Sequence, residues 1–534
     1  MLTDPCERVT ESLQSRGFAV TRPPPSVAAV LAHVTTFTIA GLDPRRVTVE
    51  VDLRPGLPTF TIVGLGDRAV REARERVHAA VLNSGFEFPA RRVTVNLAPA
   101  YLRKAGPGFD LPIAAGILAA SGQLPAEALA RFAVFGELSL GGDLRPCHGV
   151  LAVAEGTLRA GLSGLVVPRE RAAEAALVEG LEVIAAGSLA EVARVFKGGD
   201  RPPPPEPRPA ALRAAMSDLA DVRGHADVIG ALTIAAAGGH NVLLSGPPGV
   251  GKTMLARRLP GILPPLTRAE ALEVTRIHSI AGRHDGGALI EERPFRAPHH
   301  QVSASGLVGG GTIPAPGEAS LAHHGVLFLD ELSEFARPAL EALRQPLEDG
   351  RVAIVRGQRT AIFPTRFMLV AATNPCPCGH APAPRCQCTD TELERHRRRL
   401  SGPLLDRLDL VLNVQRPAAG DLAAAGVTTS AAERARVIAA RERQGERLRG
   451  TGAACNAHMD AALLRTHAAI GPDAERTLLD AYRRGTLSAR GRDRALRVAR
   501  TVADLEGADE VAREHVIVAL GYRHDQELTD GAAA

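Results

Sequence analysis

Short apolar runs that alternate with glycine-bounded turns and charged segments predict alternating strands and helices along most of the chain. β-rich runs occur at 47–53 and 59–63, and a helix follows from Asp67 to Leu82, with Asp67 placed to cap its first turn. This pattern extends over 34–197 and predicts an α/β domain. The residues before it contain prolines and lack clear periodicity, so we expect a low-order extension at 1–33.

A proline-rich segment divides the chain after this domain. Residues 198–212 begin with glycine and proline and show no apolar periodicity, which predicts an extended linker. Strand and helix patterns resume over 213–425 and predict a second α/β domain. From 426 to 534 the apolar period is helical, and the composition is rich in alanine, arginine and leucine. We expect a helical C-terminal domain there.

Composition narrows the functional classes. A chain of 534 residues has room for about three to four domains. With 45% hydrophobic residues, 23% charged residues and no apolar run near the roughly 18 residues of a membrane span, we expect a soluble, cytoplasmic protein without a membrane partner. The net charge is only +4, so any nucleic-acid surface has to be a local patch. Seven cysteines in so long a chain do not indicate a disulfide framework.

The strongest chemical signal is the nucleotide-binding pattern GxxxxGK[ST], which joins a predicted strand at 241–244 to a helical run after Thr253. Backbone N–H groups and the helix dipole at such a junction favour phosphate. We expect Lys252 to reach the β- and γ-phosphates of ATP, and the Thr253 hydroxyl to ligate Mg²⁺. The predicted nucleotide-binding residues of this P-loop are Gly246, Pro247, Pro248, Gly249, Val250, Gly251, Lys252 and Thr253.

Two later apolar runs end in polar residues that complete an ATP site. The run 326–329 is followed by Asp330 and Glu331, the Walker B pattern. Asp330 is expected to hold Mg²⁺ through water, and Glu331 to orient and deprotonate the attacking water. The run 367–372 leads to Asn374. These motifs resemble those of AAA+ ATPases, and the resemblance implies that Asn374 is a polar sensor of the γ-phosphate or the lytic water.

The segment 401–409 closely resembles the arginine-finger segment of magnesium-chelatase motor subunits and MCM helicases. The resemblance implies that Arg407 reaches the γ-phosphate held by a neighbouring subunit, which requires a ring. The alternative is a surface salt bridge from Arg407 to Asp406 or Asp409.

Two more nucleotide contacts come from the resemblance to AAA+ ATPases alone. Arg490 matches the second sensor arginine, and Arg494, on the same helical face, is the fallback. Residues near Val222 correspond to the adenine site of that class.

Four cysteines form two CxC pairs in an insert at 375–389, namely Cys376, Cys378, Cys386 and Cys388. Four thiolates can hold Zn²⁺ in a tetrahedral site, with His380 as a substitute ligand. Because CxC is less common than CxxC in zinc sites, free thiols in a loop are the alternative. The histidine pairs at 299–300 and 323–324 have no accompanying carboxylate spacing, so we expect them to make contacts within a ring rather than to bind a metal.

The first α/β domain resembles the proteolytic domain of Lon-type proteases over most of its length. That family carries its serine nucleophile in a Gly-Pro-Ser context, whereas this chain has Gly108 in the serine position and Leu151 in the position of the partner lysine. Neither side chain can form a Ser/Lys dyad. The resemblance therefore implies a Lon-protease-like fold without peptidase activity, and we expect a structural or partner-binding role.

Together with the segments 293–300 and 374–379, these features resemble the ComM/YifB family of magnesium-chelatase-like AAA+ ATPases. The implied fold is an α/β chain with a Lon-protease-like N-terminal domain, an AAA+ P-loop domain with a parallel sheet, and a C-terminal helical lid. The implied activity is that of an ATP- and Mg²⁺-dependent hexameric ring, a helicase that drives branch migration in recombination or natural transformation. Its partner is branched or single-stranded DNA, bound without sequence specificity. A magnesium-chelatase motor subunit and an ATP-regulated scaffold with an inactive protease-like domain are the alternatives.

A candidate DNA contact lies at 350–362. Two short β-runs flank Arg356-Gly357-Gln358-Arg359, which predicts a hairpin with basic residues at its tip. In the AAA+ rings that this chain resembles, the hairpin before the first sensor projects into the central pore. Arginines there would contact phosphates without reading bases. An ordinary surface hairpin is the alternative.

Overall fold

A computed structural model describes most of the chain. The described residues are 30–203, 205–206, 217–284, 287–312, 314–356, 359–381, 385–399, 402–423 and 426–523. The expectations for 1–29 of the extension, for 204 and 207–212 of the linker, and for 424–425 at the last domain boundary lie outside them. The domain boundaries drawn from the sequence remain predictions.

The described residues fall into two compact units. The first comprises 30–36, 47–145 and 186–201, and the second comprises 37–46, 146–185 and the described part of 202–523. Each unit combines strands with helices, so the predicted α/β class is confirmed.

The first unit contains strands, some of them only in part, that neighbour one another in a sheet. It also contains helices. The strand order is Thr59–Val63, Arg92–Ala98, Asp43–Arg54, Val30–Ala40 and Phe132–Val134. The helices are Arg68–Asn83, Asp110–Ala120, Ala126–Leu129 and Leu189–Phe196. The Asp67 side chain accepts a hydrogen bond of 3.0 Å from the Val70 N–H, which confirms the predicted cap. The guanidinium of Arg76 forms a two-pronged ion pair with the buried Asp110, at 2.7 and 2.9 Å, and joins two of these helices.

The second unit contains a sheet whose described strands are all parallel. Its order is Phe295–Arg296, Val326–Leu329, Met368–Thr373, Val242–Ser245 and Leu410–Asn413. Ser245 lies beside Thr373, and Leu329 lies beside Ala371. The carboxyl ends of parallel strands meet at one edge of a sheet, where ligands of such folds bind. The order therefore places the P-loop, Asp330 and Asn374 at the same edge.

The second unit also contains helices, which make up most of its C-terminal region. The helices of eight residues or more are Val150–Arg159, Ala226–Gly238, Lys252–Ile262, Arg268–Ile280, Asp390–Arg399, Ser430–Arg447, Pro472–Arg483, Ala489–Glu506 and Arg513–Gly521. Buried Ala235, Leu259, Val437 and Val498 belong to one continuous core, which packs the C-terminal helices against those of the nucleotide-binding part. The predicted helical C-terminal region is thus confirmed. In the part of the chain that the structure describes, no helix is long and apolar enough to span a membrane.

Candidate ATP site

The P-loop follows the buried strand Val242–Ser245 and precedes the helix Lys252–Ile262. Gly249 and Gly251 have positive φ values of 77° and 95°, which glycine adopts without steric cost. At Gly246 the reason for glycine is contact, because a Cβ atom there would lie 2.2 Å from the carbonyl oxygen of Val414. The glycine spacing therefore allows the backbone to turn tightly around a concave space at the start of the helix.

Lys252 connects the P-loop to the sensor strand. Its Nζ donates hydrogen bonds to the carbonyl oxygen of Pro247 at 2.9 Å and to Oδ1 of Asn374 at 3.0 Å, and also to the carbonyl oxygen of Gly246. Burial lowers the pKa of Lys252, while the nearby carboxylates of Asp330 and Glu331 act in the opposite direction. The ammonium group is thus fixed between the two elements expected to contact the γ-phosphate.

Thr253 and Asp330 come together although they lie far apart in the sequence. The Thr253 hydroxyl donates to Oδ2 of Asp330 at 2.7 Å. Mg²⁺ prefers six oxygen ligands at about 2.0–2.1 Å, which places neighbouring ligand atoms about 2.9 Å apart. This separation would admit direct coordination of a magnesium ion by Asp330 as well as the water-mediated contact expected from the sequence.

Glu331 has a left-handed backbone, with φ at 52°, an uncommon conformation for this residue type. Its N–H donates to Oδ1 of Asp330 at 3.0 Å, and its Oε2 lies 3.7 Å from Nδ1 of His300. The ring of His300 lies 4.1 Å from that of His299. Sequence reasoning did not connect His300 with the ATP site, since nothing in its local pattern places it beside the carboxyl end of another strand.

A cavity of about 420 Å³ lies between these residues and is lined by 248–254, Asp330, Glu331 and 372–374. It brings together most of the predicted nucleotide and magnesium ligands. Val222 does not line it; that residue is fully buried, and its N–H donates to the carbonyl oxygen of Leu219. Arg490 does not line it either.

Arg407 and Arg490 line a second cavity of about 490 Å³, together with Arg494 and Arg497. Burial lowers the pKa of Arg407, and the charges of Arg344 and Arg490 act in the same direction. Arg407 forms an ion pair with Glu348, and Asp409 accepts a hydrogen bond of 3.1 Å from the Asn241 N–H. Within one chain the two arginines predicted to contact nucleotide thus lie beside each other, in a cavity separate from the P-loop cavity.

The histidines near Walker B have a carboxylate partner that sequence spacing did not reveal. Nε2 of His323 and Nε2 of His324 lie 3.1 and 3.0 Å from the same oxygen of Glu273, which the helix Arg268–Ile280 supplies. Nδ1 of His323 accepts from the Arg366 N–H at 3.0 Å. Ring nitrogens of both histidines are thus hydrogen-bonded within the chain, while the same geometry could hold a metal ion, so the expectation that they bind none stays a prediction.

The four cysteines of the insert converge, since their sulfur atoms all lie within 4.8 Å of one another. Zinc binding remains a prediction. The short distances between the sulfur atoms satisfy its first requirement, which is that all four ligands can reach one ion.

The predicted hairpin forms from strands Arg351–Arg356 and Arg359–Pro364, which pair antiparallel. Val352, Ile354 and Phe363 are buried and anchor one face, whereas Val355 on the other face is 61% exposed. Arg351 and Arg356 are exposed. The turn residues Gly357 and Gln358 lie outside the described part of the chain.

The Lon-like positions hold no dyad. Gly108 packs so closely that a Cβ atom would lie 2.4 Å from the ring of Phe135. Leu151, in the second unit, is fully buried. The residues at these two positions supply neither nucleophile nor base.

Family models of magnesium chelatase match three parts of the chain. They are described as magnesium chelatase subunit ChlI, at 218–422; subunit ChlI of Mg-chelatase, at 49–171; and the C-terminal part of magnesium chelatase subunit ChlI, at 427–523.

Two relatives match along nearly their whole length. YifB of Salmonella typhimurium is 44% identical over 92% of this chain and 97% of its own length. The competence protein ComM of Haemophilus influenzae is 43% identical over 92% of this chain and 97% of its own length.

Shorter stretches match two other proteins. The Holliday junction branch migration complex subunit RuvB of a Parafrankia species is 39% identical over 22% of this chain and 24% of its own length. Lon protease 2 of Bacillus subtilis is 28% identical over 32% of this chain and 35% of its own length. The Lon-like element of the predicted fold is thereby supported.

Proposed function

This chain belongs to the ComM/YifB family of magnesium-chelatase-like AAA+ ATPases, and we propose that it is a ring-forming motor that uses ATP hydrolysis to move branched DNA. The observation that carries the DNA assignment is the hairpin. Its apolar face is anchored in the second unit, while the exposed Arg351 and Arg356 offer positive charge just ahead of the sensor strand. Guanidinium groups suit phosphate contacts that are independent of base sequence.

The relatives support the same substrate class. A stretch of the chain is similar to a subunit named for branch migration at Holliday junctions, and a competence protein matches over nearly its full length. We therefore propose branch migration in recombination or natural transformation as the physiological step.

In the proposed mechanism the predicted site residues of the P-loop cavity have separate tasks. Lys252 holds the β- and γ-phosphates, and Asn374, hydrogen-bonded to Lys252, aligns the γ-phosphate or the attacking water. Thr253 would hold Mg²⁺ directly and Asp330 would hold it through water, and the ion would neutralise phosphate charge. Glu331 accepts the proton of the attacking water. The remaining P-loop residues supply the backbone that surrounds the phosphates.

The second cavity, which is lined by Arg407, Arg490, Arg494 and Arg497, supplies the other half of the proposed ATP site. We propose that Arg407, and Arg490 beside it, face the nucleotide of a neighbouring subunit, because both lie apart from the P-loop cavity of their own chain. An arginine delivered in trans stabilises transition-state charge. Head-to-tail contacts of this kind close into rings, and we propose a hexamer.

A branch-migration assay tests the proposal. Purified protein should convert a synthetic four-way or three-way DNA junction into its products with ATP but not with ADP, and Glu331→Gln should bind the junction without converting it. A protein that hydrolyses ATP yet neither binds nor converts any branched DNA would exclude the DNA motor. Co-purification of a porphyrin-binding subunit would then favour the chelatase motor that the family models name.

A further inference from the structure

Cysteine sulfurs form a compact cluster beside the P-loop. Sγ of Cys376 lies 3.3 Å from that of Cys378 and 3.8 Å from that of Cys386, and the Cys378 and Cys386 sulfurs are 3.6 Å apart. The Cys388 sulfur completes the group. A tetrahedral ion with Zn–S bonds of about 2.3 Å holds its sulfurs about 3.8 Å apart. A disulfide requires about 2.05 Å, so the spacing fits one mononuclear ion better than paired cystines.

Backbone N–H groups point at these sulfurs. The Ala381 N–H donates to Sγ of Cys376 at 3.2 Å, and the Cys378 sulfur accepts from the backbone of His380 and Gln387. N–H donors stabilise negative charge on sulfur, and the thiolate is the form that binds a metal. Soft thiolates in a tetrahedral arrangement select Zn²⁺ among the common divalent ions.

The cluster is tied to the P-loop by a close contact. Gly379 is buried, has a φ of 79°, and lies so close to Pro248 that a Cβ atom would be 2.5 Å from its ring. Any movement of the cysteine loop therefore displaces a wall of the ATP cavity, since Pro248 lines that cavity.

The cluster is also tied to the sensor. Asn374 stands two residues before Cys376, and its carbonyl oxygen accepts a hydrogen bond of 3.0 Å from Nε2 of His396. His396 belongs to the helix Asp390–Arg399, which begins two residues after Cys388. The two ends of the cysteine loop thus meet at Asn374.

We propose that Cys376, Cys378, Cys386 and Cys388 bind one structural Zn²⁺ ion that holds this loop against Pro248 and fixes Asn374 in the ATP site. The ion takes no part in hydrolysis. Four thiols lose their protons to solvent as the ion binds, and no electron transfer is involved. Its role is to position the sensor and the P-loop.

Metal analysis tests the site. Protein purified without added zinc should contain about one Zn²⁺ per chain, as expected for a closed four-ligand site. Cys386→Ser and Cys388→Ser should lose it, while the control Cys147→Ser retains it. Refolding with Co²⁺ should give the visible absorption of a tetrahedral tetrathiolate site even if the serine variants misfold. A metal-free wild-type protein, bound iron, or a mass showing disulfides among these cysteines would overturn the proposal.

A second variant tests the positioning role without removing a ligand. Gly379→Ala should keep its zinc but weaken ATP binding by about tenfold, because the methyl group pushes on Pro248. Gly122→Ala is the matched control, since Gly122 has a similar φ of 76° but open space around its Cβ position. Equal ATP affinity in the two variants would exclude the coupling. Neither measurement uses DNA, so the proposed motor function is tested separately.

Discussion

Adjacent acids at the end of the Walker B strand make different contacts. Asp330 accepts a hydrogen bond from Thr253, whereas Glu331, after the chain turns into a left-handed conformation, approaches His300. Backbone strain of this kind costs about 1–3 kcal/mol and persists where the surroundings enforce it. The proposed chemistry needs this separation, because one acid serves the metal and the other serves the water.

Replacing the proposed base should separate binding from turnover. Glu331→Gln keeps the shape of the side chain but cannot accept a proton, so we expect normal ATP binding and a loss of about 10²–10⁴-fold in hydrolysis. Lys252→Ala should instead weaken nucleotide binding. Fluorescent-nucleotide titration and steady-state ATPase rates measure the two effects. The control is Glu334→Gln, a nearby carboxylate paired with Arg399; undiminished turnover in Glu331→Gln would remove its assignment as the base.

Gly108 offers a test of the protease-like unit. Gly108→Ser restores the serine of the Lon context, but its Cβ atom would collide with Phe135, so we expect a loss of about 1–3 kcal/mol in unfolding free energy. No peptidase activity should appear, because Leu151 cannot act as a base. Gly230→Ser, in a helix with open space at Cβ, should be close to neutral. Thermal unfolding and a casein digestion assay provide the measurements, and casein cleavage by Gly108→Ser would contradict the expected absence of a dyad.

At the scale of elements, the strand–loop–helix order of the ATP site could be predicted because each motif carries its own pattern. The predicted Walker B strand, 326–329, coincides with the observed strand Val326–Leu329, while the observed P-loop strand, Val242–Ser245, begins one residue later than predicted. Contacts between remote segments could not be predicted. The pairing of Glu273 with the histidines and the position of Arg490 beside Arg407 depend on helix packing that no local spacing records.

The proposed role of the hairpin in DNA binding can be tested directly. Replacing both Arg356 and Arg359 by alanine should leave basal ATP hydrolysis intact but weaken DNA binding, and should flatten its salt dependence by about 0.9 in log–log slope for each lost contact to duplex phosphate. The control is Arg476→Ala, an exposed arginine that pairs with Asp473 on the helix Pro472–Arg483. Binding isotherms at several salt concentrations measure the effect. Unchanged binding and branch migration in the double variant would exclude the hairpin as the element that grips DNA.

At the scale of the whole molecule, the proposed catalytic residues divide between two surfaces of one chain. The P-loop cavity holds the phosphate and metal ligands, and the other cavity holds Arg407, whose ion pair with Glu348 must rearrange before it can reach a phosphate. In the proposed mechanism, such a chain completes its site only by contact with another copy.

Mixing two inactive variants tests this arrangement. Arg407→Ala should lose about 10³-fold or more in hydrolysis, and Glu331→Gln should be similarly inactive. In an equal mixture, about one interface in four pairs an intact base with an intact arginine, so part of the activity should return. Arg416→Ala, an exposed arginine nine residues later in the sequence, is the control. Wild-type hydrolysis by Arg407→Ala alone would exclude an arginine finger at this position.

If Arg407 acts on the nucleotide of a neighbouring subunit, as proposed, ATP turnover depends on protein concentration. An isolated chain has the phosphate-binding residues but no Arg407 from a neighbouring subunit. It should therefore hydrolyse almost no ATP, even at saturating nucleotide. The specific ATPase activity should rise steeply with protein concentration until assembly is complete. Dilution alone should abolish it, without any inhibitor. The amount of the protein, and any factor that promotes its assembly, would then set its rate of ATP hydrolysis.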